Sequence, residues 1–121
     1  GFIWFNELMP KWKIKYYTKS SGKIPVKDFI NNLPETSQAK VHDTFELLIE
    51  FNLKLGRPYI KKLKGTPLWE LRLIGKKSIR FFYFTKKNKI FLFLHAFIKK
   101  SQKTPKKEIK IALQRLKNSL D

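Results

Sequence analysis

The sequence contains no cysteine, which removes a disulfide framework, a thiolate zinc site and a cysteine nucleophile at once. Histidine is nearly as scarce. His42 and His95 are the two in the chain, no HxxxH spacing exists, and neither a metal centre nor a cofactor is expected. Five glycines are spread along the chain without forming a glycine-rich phosphate loop. No apolar run approaches the roughly 18 residues needed to cross a bilayer, so a cytoplasmic location and no membrane partner are expected. Acidic residues are few and scattered, unlike the clustered ligands of a two-metal nuclease.

What is abundant is positive charge. Twenty-seven Lys and Arg against nine Asp and Glu leave a formal charge of +18 on 121 residues. Self-repulsion on that scale opposes compactness unless an anionic partner offsets it, and it is the electrostatic footprint of a nucleic-acid binder. An AT-biased, lysine-rich genome is the plainer explanation, but such a bias raises Glu alongside Lys, and Glu is scarce here. With 42% hydrophobic and 15% aromatic residues, the chain can bury one core. RNA is the best candidate among polyanions.

Residues 9–121 read as a single domain. Residues 1–8 are apolar but lack a basic segment and a small-residue cleavage site, so they do not read as a signal peptide. Met9-Pro10-Lys11 resembles a natural start, and the preceding residues are expected to be a cloning remnant or an upstream extension.

Lys11 to Thr18 alternates, with Trp12, Ile14 and Tyr16 on one face, and predicts a half-buried strand. Pro25 suits a first helical position, and Val26, Phe29, Ile30 and Leu33 follow at helical spacing until Pro34. A longer helix is expected from about Glu35 to Leu55, with Val41, Phe45, Leu48 and Ile49 inside and Gly56 as its stop. Three strands follow: Leu68–Leu73, Ser78–Phe84 and the nearly unbroken apolar run Ile90–Phe97. Thr104-Pro105 opens a closing helix whose inner side carries Ile109, Ala112, Leu113, Leu116 and Leu120. The order β-α-α-β-β-β-α predicts an α/β (α+β) fold. Its four-stranded, largely antiparallel sheet should carry its helices mainly on one face, leaving the other free for a ligand.

Alternation sets Glu70 and Arg72 opposite Trp69, Leu71 and Leu73, and Arg80 can join them from the next strand. Lys62, Lys64 and Lys99, with His95 and Phe97, are candidates for contact with RNA through phosphates and stacked bases. Such a groove could also cut RNA. Arginines can stabilise a phosphorane as bidentate partners, and a lysine crowded by cations can exchange protons near neutrality. Glu70 could act as a base or orient Arg72, but the pair also reads as a plain surface i,i+2 contact. His95 reads more readily as a packed or hydrogen-bonded histidine than as a general base.

At these residues the sequence resembles the RelE/HigB family, in its HigB-like, phage Gp49-like branch of type II toxin–antitoxin toxins. The resemblance is carried by Pro58-Tyr59-Ile60-Lys61-Lys62-Leu63, Leu68-Trp69-Glu70-Leu71-Arg72, Ile79-Arg80-Phe81-Phe82-Tyr83, and the run from Leu94 through Lys99-Lys100-Ser101-Gln102-Lys103-Thr104-Pro105. It spans about Lys11 to Leu120. It implies a ribosome-dependent mRNA endonuclease that needs no metal, inhibits translation and is silenced by a helix-turn-helix, HigA-like antitoxin. Arg72, Arg80 and Lys100 (or its neighbour Lys99) match the family's basic catalytic positions. Glu70 stands where some relatives place a further basic residue, and the tyrosine some relatives carry near the C-terminus has no counterpart here. The general base therefore stays unassigned. The alternatives are a non-catalytic RNA- or ribosome-binding module and a DNA-binding transcription factor. The last is weakened because the helices before the strands expose Asn, Gln and Glu among few basic residues.

Overall fold

The computed structural model describes residues 11–75 and 78–119. The extension expected over residues 1–8, and Leu120 of the closing helix, lie outside the described residues. The chain forms a mixed α+β fold of three helices and one open five-stranded sheet, ordered β1-β5-β4-β3-β2.

Strand β1, Lys13–Tyr16, keeps the expected alternation, with Ile14 and Tyr16 turned inward and Lys13 and Lys15 exposed. It pairs in parallel with β5, Ile90–Ile98, in the register Lys13↔Ile90 to Tyr16↔Phe93. The parallel pairing requires a crossover, and the helical pair supplies part of it. Helix α1, Pro25–Asn31, starts on its proline and buries Val26 and Ile30. Helix α2, Glu35–Phe51, buries Val41, Thr44, Phe45 and Leu48. It stops four residues earlier than its periodicity suggests. Asn52 takes a left-handed φ of 47°, and Asn52–Leu55 continues as a short 3-10 turn to Gly56 at φ 59°.

The three strands expected next are β3, Trp69–Arg72, β4, Ile79–Lys86, and β5, joined as antiparallel neighbours. Another strand, β2, Ile60–Lys62, pairs antiparallel with β3 and makes the sheet five-stranded rather than four-stranded. Its burial pattern has one buried residue, Ile60, followed by two exposed lysines, so it carries no alternation long enough to read.

The expectation that helices gather mainly on one face is corrected. The α1–α2 pair covers one face, packing Val41, Phe45 and Leu48 against Leu71, Phe81 and Phe93. Helix α3, Lys106–Ser119, covers the other, burying Ala112 and Leu116 against Phe82, Leu92 and Leu94. The residues of β4 alternate between these cores, so each face offers an apolar surface that must be covered. The second face is thus open only beyond the reach of α3.

A register shift between Phe82 and Tyr83 decides what occupies that open part. Phe82 pairs with His95 while Tyr83 pairs with Phe93, leaving Leu94 as an extra residue on β5. Before the bulge Phe91 and Phe93 face the α1–α2 side; beyond it Phe97 lies in the α3 cluster. Uninterrupted alternation would have turned Phe97 the other way.

Candidate functional site

Glu70 is the most buried carboxylate among the described residues, 1% exposed, on the α3 face of β3. Its Oε1 accepts a hydrogen bond of 2.8 Å from Arg72 Nε and lies 3.7 Å from Arg80 Nε. The Arg72 and Arg80 side chains are 26% and 15% exposed, so both guanidinium groups lean on the buried acid while reaching solvent. Burial lowers the pKa of Arg80, Glu70 opposes that shift, and Arg72 adds to it. The guanidinium nonetheless stays charged near neutrality. Arg80 Nε is buried without a hydrogen-bond partner, and Nη1 donates to the Ile79 carbonyl at 3.2 Å.

Arg72, Arg80, Ser78 and Pro58 line a hollow of about 230 Å³. The end of β5 reaches it. Lys99 N–H donates to the carbonyl of Ser78, a residue lining the hollow, at 2.7 Å; Lys99 is half-buried and Lys100 exposed. From the following loop, Thr104 Oγ1 approaches Glu70 Oε2 at 3.5 Å and closes over the acid. Glu70 is therefore no surface pair member, although the i,i+2 contact with Arg72 is present.

His95 belongs to a neighbouring, separate network. Arg115 Nη1 stands 3.2 Å from His95 Nδ1 and 2.9 Å from the Leu94 carbonyl, while His95 Nε2 lies 3.2 Å from Glu108 Oε1. A guanidinium only donates, so Nδ1 accepts and Nε2 carries the proton given to Glu108. Burial lowers the His95 pKa, with Arg115 adding to the shift and Glu108 opposing it. The ring stacks on Phe97, which is itself buried against Phe82. His95 is half-buried and Phe97 buried, each ring packed on the other.

The lysines expected to touch RNA divide. Lys64 is exposed in the turn between β2 and β3. Lys62 pairs with Trp69, donates to the Thr66 carbonyl and sits 5.9 Å over the Trp69 ring. Lys61 pairs with Glu70 and, by the rule of cross-strand neighbours, shares its face. Sequence reasoning passed over Lys61, Ser78 and Thr104 as site residues, because the pairing of β2 and the closure of the loop before α3 are long-range facts. Tyr83, of the R-x-x-Y run, has its hydroxyl buried without a partner, and burial pushes its pKa up. It lies in the α1–α2 core, away from the hollow.

Among the described residues, no three His, Asp or Glu side chains converge as a metal cradle. Nor is any described helix long and apolar enough to cross a membrane. The arrangement can grip an anion with two guanidinium groups, neutralise developing charge on it, and offer ammonium groups nearby.

No curated protein matches the chain. The family model described as Phage derived protein Gp49-like (DUF891) matches residues 28–117, from α1 through most of α3. The chain belongs to this Gp49-like family, a RelE/HigB-like family associated with the toxins of toxin–antitoxin systems.

Proposed function

We propose that residues 9–121 form the toxin of a type II toxin–antitoxin system, a ribosome-dependent mRNA endonuclease that inhibits translation in the cytoplasm. A helix-turn-helix, HigA-like antitoxin is its silencing partner. The observation that carries this reading is the pair of guanidinium groups, Arg72 and Arg80, held at the mouth of one hollow by the buried Glu70.

In the reaction, the 2′-oxygen of the mRNA gives up its proton and bonds to phosphorus. The bond from phosphorus to the 5′-oxygen breaks, and that oxygen takes a proton. A 2′,3′-cyclic phosphate and a 5′-hydroxyl remain. Arg72 and Arg80 stabilise the phosphorane oxygens, replacing a metal ion in that role. Lys100, or its neighbour Lys99, passes the protons. Glu70 acts as a positioning residue, since it touches the arginines and not the substrate. Lys61, Lys64 and Lys99 hold phosphates, while Lys62, on the opposite face of β2, packs on Trp69, and His95 and Phe97 support the floor.

Expression in a bacterial host tests this directly. Growth arrest should accompany new mRNA 5′ ends inside translated frames, and both should vanish with Arg72→Ala. Arrest without new ends would instead identify a non-catalytic ribosome-binding module.

A further inference from the structure

The two helical layers carry opposite charge. Helix α2 exposes Glu35, Asp43, Glu46 and Glu50 against Lys40. Helix α3 exposes Lys106, Lys107, Lys110 and Lys117, while its one carboxylate, Glu108, is turned onto His95. Lys106 and Lys110 are i,i+4 neighbours, and Lys107 and Lys110 are i,i+3 neighbours, so both pairs repel. No carboxylate of α3 is left to offset them.

Towards the C-terminal end of α3 the same surface becomes concave. Two adjoining hollows, of about 610 and 570 Å³, share Tyr17, Ser20 and Asn118 as walls. The first adds Lys19, Lys110 and Arg115, and the second adds Lys86. Among the described residues neither is lined by a carboxylate; the other polar walls are hydroxyls and amides. Arg115 is fixed in place by the Leu94 carbonyl at 2.9 Å and by the Tyr17 ring 5.8 Å away.

We infer that this trough seats the sugar–phosphate backbone of a second RNA segment, apart from the strand cut at Arg72 and Arg80. The inference rests on the RNA-directed function proposed above and names a further contact surface for it. The walls supply cations and hydrogen-bond donors, as a phosphate track requires. Exposed lysines continue along α3 towards Thr104, which touches Glu70. From Lys106 to Asn118 the helix runs roughly 18 Å, about five base steps at ~3.4 Å each. A regular polyanion fits such a row. The acidic α2 layer, on the opposite face, would be turned away from it.

The test compares two triple variants of the full chain. Lys19→Gln/Lys86→Gln/Lys110→Gln removes three charges from the trough; Lys27→Gln/Lys40→Gln/Lys54→Gln removes three from the α1–α2 side. Binding of an RNA duplex of about 20 base pairs is followed by anisotropy between about 50 and 200 mM salt. The trough variant should lose at least about tenfold in affinity at low salt, and its slope of log K against log salt should shrink by about 2–3. The control should keep most of both, and Lys→Arg at the three trough positions should restore binding. Equal losses in the two Gln variants would mean that net charge alone binds the duplex, and would overturn the inference. So would unchanged duplex affinity in the trough variant together with lost binding of the antitoxin, which would make the trough a protein site. Loss of mRNA cutting in Arg72→Ala reports on the Arg72–Arg80 hollow and not on the trough, so the two readings fail separately.

Discussion

Arg72 and Arg80 stand directly opposite each other on β3 and β4, a like-charged cross-strand pair. Such a pair is ordinarily destabilising. Here both guanidinium groups lean on one buried oxygen, Glu70 Oε1, at 2.8 and 3.7 Å. The acid offsets part of the repulsion and leaves the donors of both arginines that face the hollow available to an anion. A second anion, the phosphate, would complete the neutralisation. A phosphorane carries more negative charge than the phosphodiester it forms from, so such a pair would favour it over bound substrate, as transition-state stabilisation demands.

Arg72→Ala and Arg80→Ala should each lower single-turnover mRNA cleavage by about 10²–10³, the usual cost of removing one donor from a developing oxyanion. Each single variant should stay folded, because Glu70 keeps one arginine. Full activity in either variant at equal expression would remove that residue from the catalytic set.

Glu70→Gln keeps the shape of the side chain and an acceptor oxygen while removing the charge that holds the arginines together. Cleavage should fall while affinity for RNA holds or rises, since a negative charge leaves the site. Stability should drop by about 1–3 kcal/mol, as expected when a buried, charge-assisted hydrogen bond is weakened. Thermal melting alongside kcat and KM separates this positioning role. A loss of stability with unchanged kcat would reduce Glu70 to a structural residue.

Lys61 and Lys62 sit next to each other but occupy opposite faces of β2. Lys61→Gln, on the Glu70 side, should weaken RNA binding more than Lys62→Gln, which mainly loses the contact with Trp69. Lys64→Gln should reduce the salt slope by about 0.7, the value for one single-strand phosphate contact. Ranking the three variants by affinity at fixed salt checks the register directly; equal losses at Lys61 and Lys62 would count against a face-specific groove.

The His95 network predicts a stability that depends on pH. Its pKa in the folded protein lies below the unfolded value of about 6.5. The unfolded state therefore binds the proton first as pH falls, and folding stability is lost progressively from about pH 6.5 downward until His95 itself protonates. Melting between about pH 7.5 and 5.5 should show this slope in the native chain and a shallower one in His95→Gln. Parallel curves would indicate that other groups set the dependence.

Phe51 and Leu53, at the end of α2, are 42% and 61% exposed and belong to neither core cluster. Antitoxin docking is expected on this α1–α2 side or at the rim of the groove. Because α2 itself exposes four carboxylates, the docking segment should be amphipathic there, and an acidic segment should reach the basic rim instead. Hydrogen exchange with and without the HigA-like antitoxin should show protection of Phe51–Leu55 or the rim, and Phe51→Ser/Leu53→Ser should weaken the complex. Protection restricted to α3 would rule this docking mode out.

Much of this molecule is written in short-range pattern. Pro25 and the spacing of Val26 and Ile30 specify α1. Val41, Phe45 and Leu48 specify α2, and the alternation of Trp69-Glu70-Leu71-Arg72 puts Glu70 and Arg72 on one face. Period and capping are local properties, so a single sequence displays them. The excess of Lys and Arg likewise marks a strongly basic protein, for which a polyanionic partner is expected. Only the tertiary structure decides the rest. The short β2 strand exists because β3 offers it an edge. The α3 helix covers a face that alternation left unassigned. The bulge at Leu94 turns Phe97 towards the α3 face, and the pairing of β3 with β4 sets Arg80 across from Arg72. Glu70 is the clearest case. Its side of the strand follows from parity and its contact with Arg72 is a local i,i+2 one, but its burial also depends on Arg80 from the next strand and on Thr104, 34 residues along the chain.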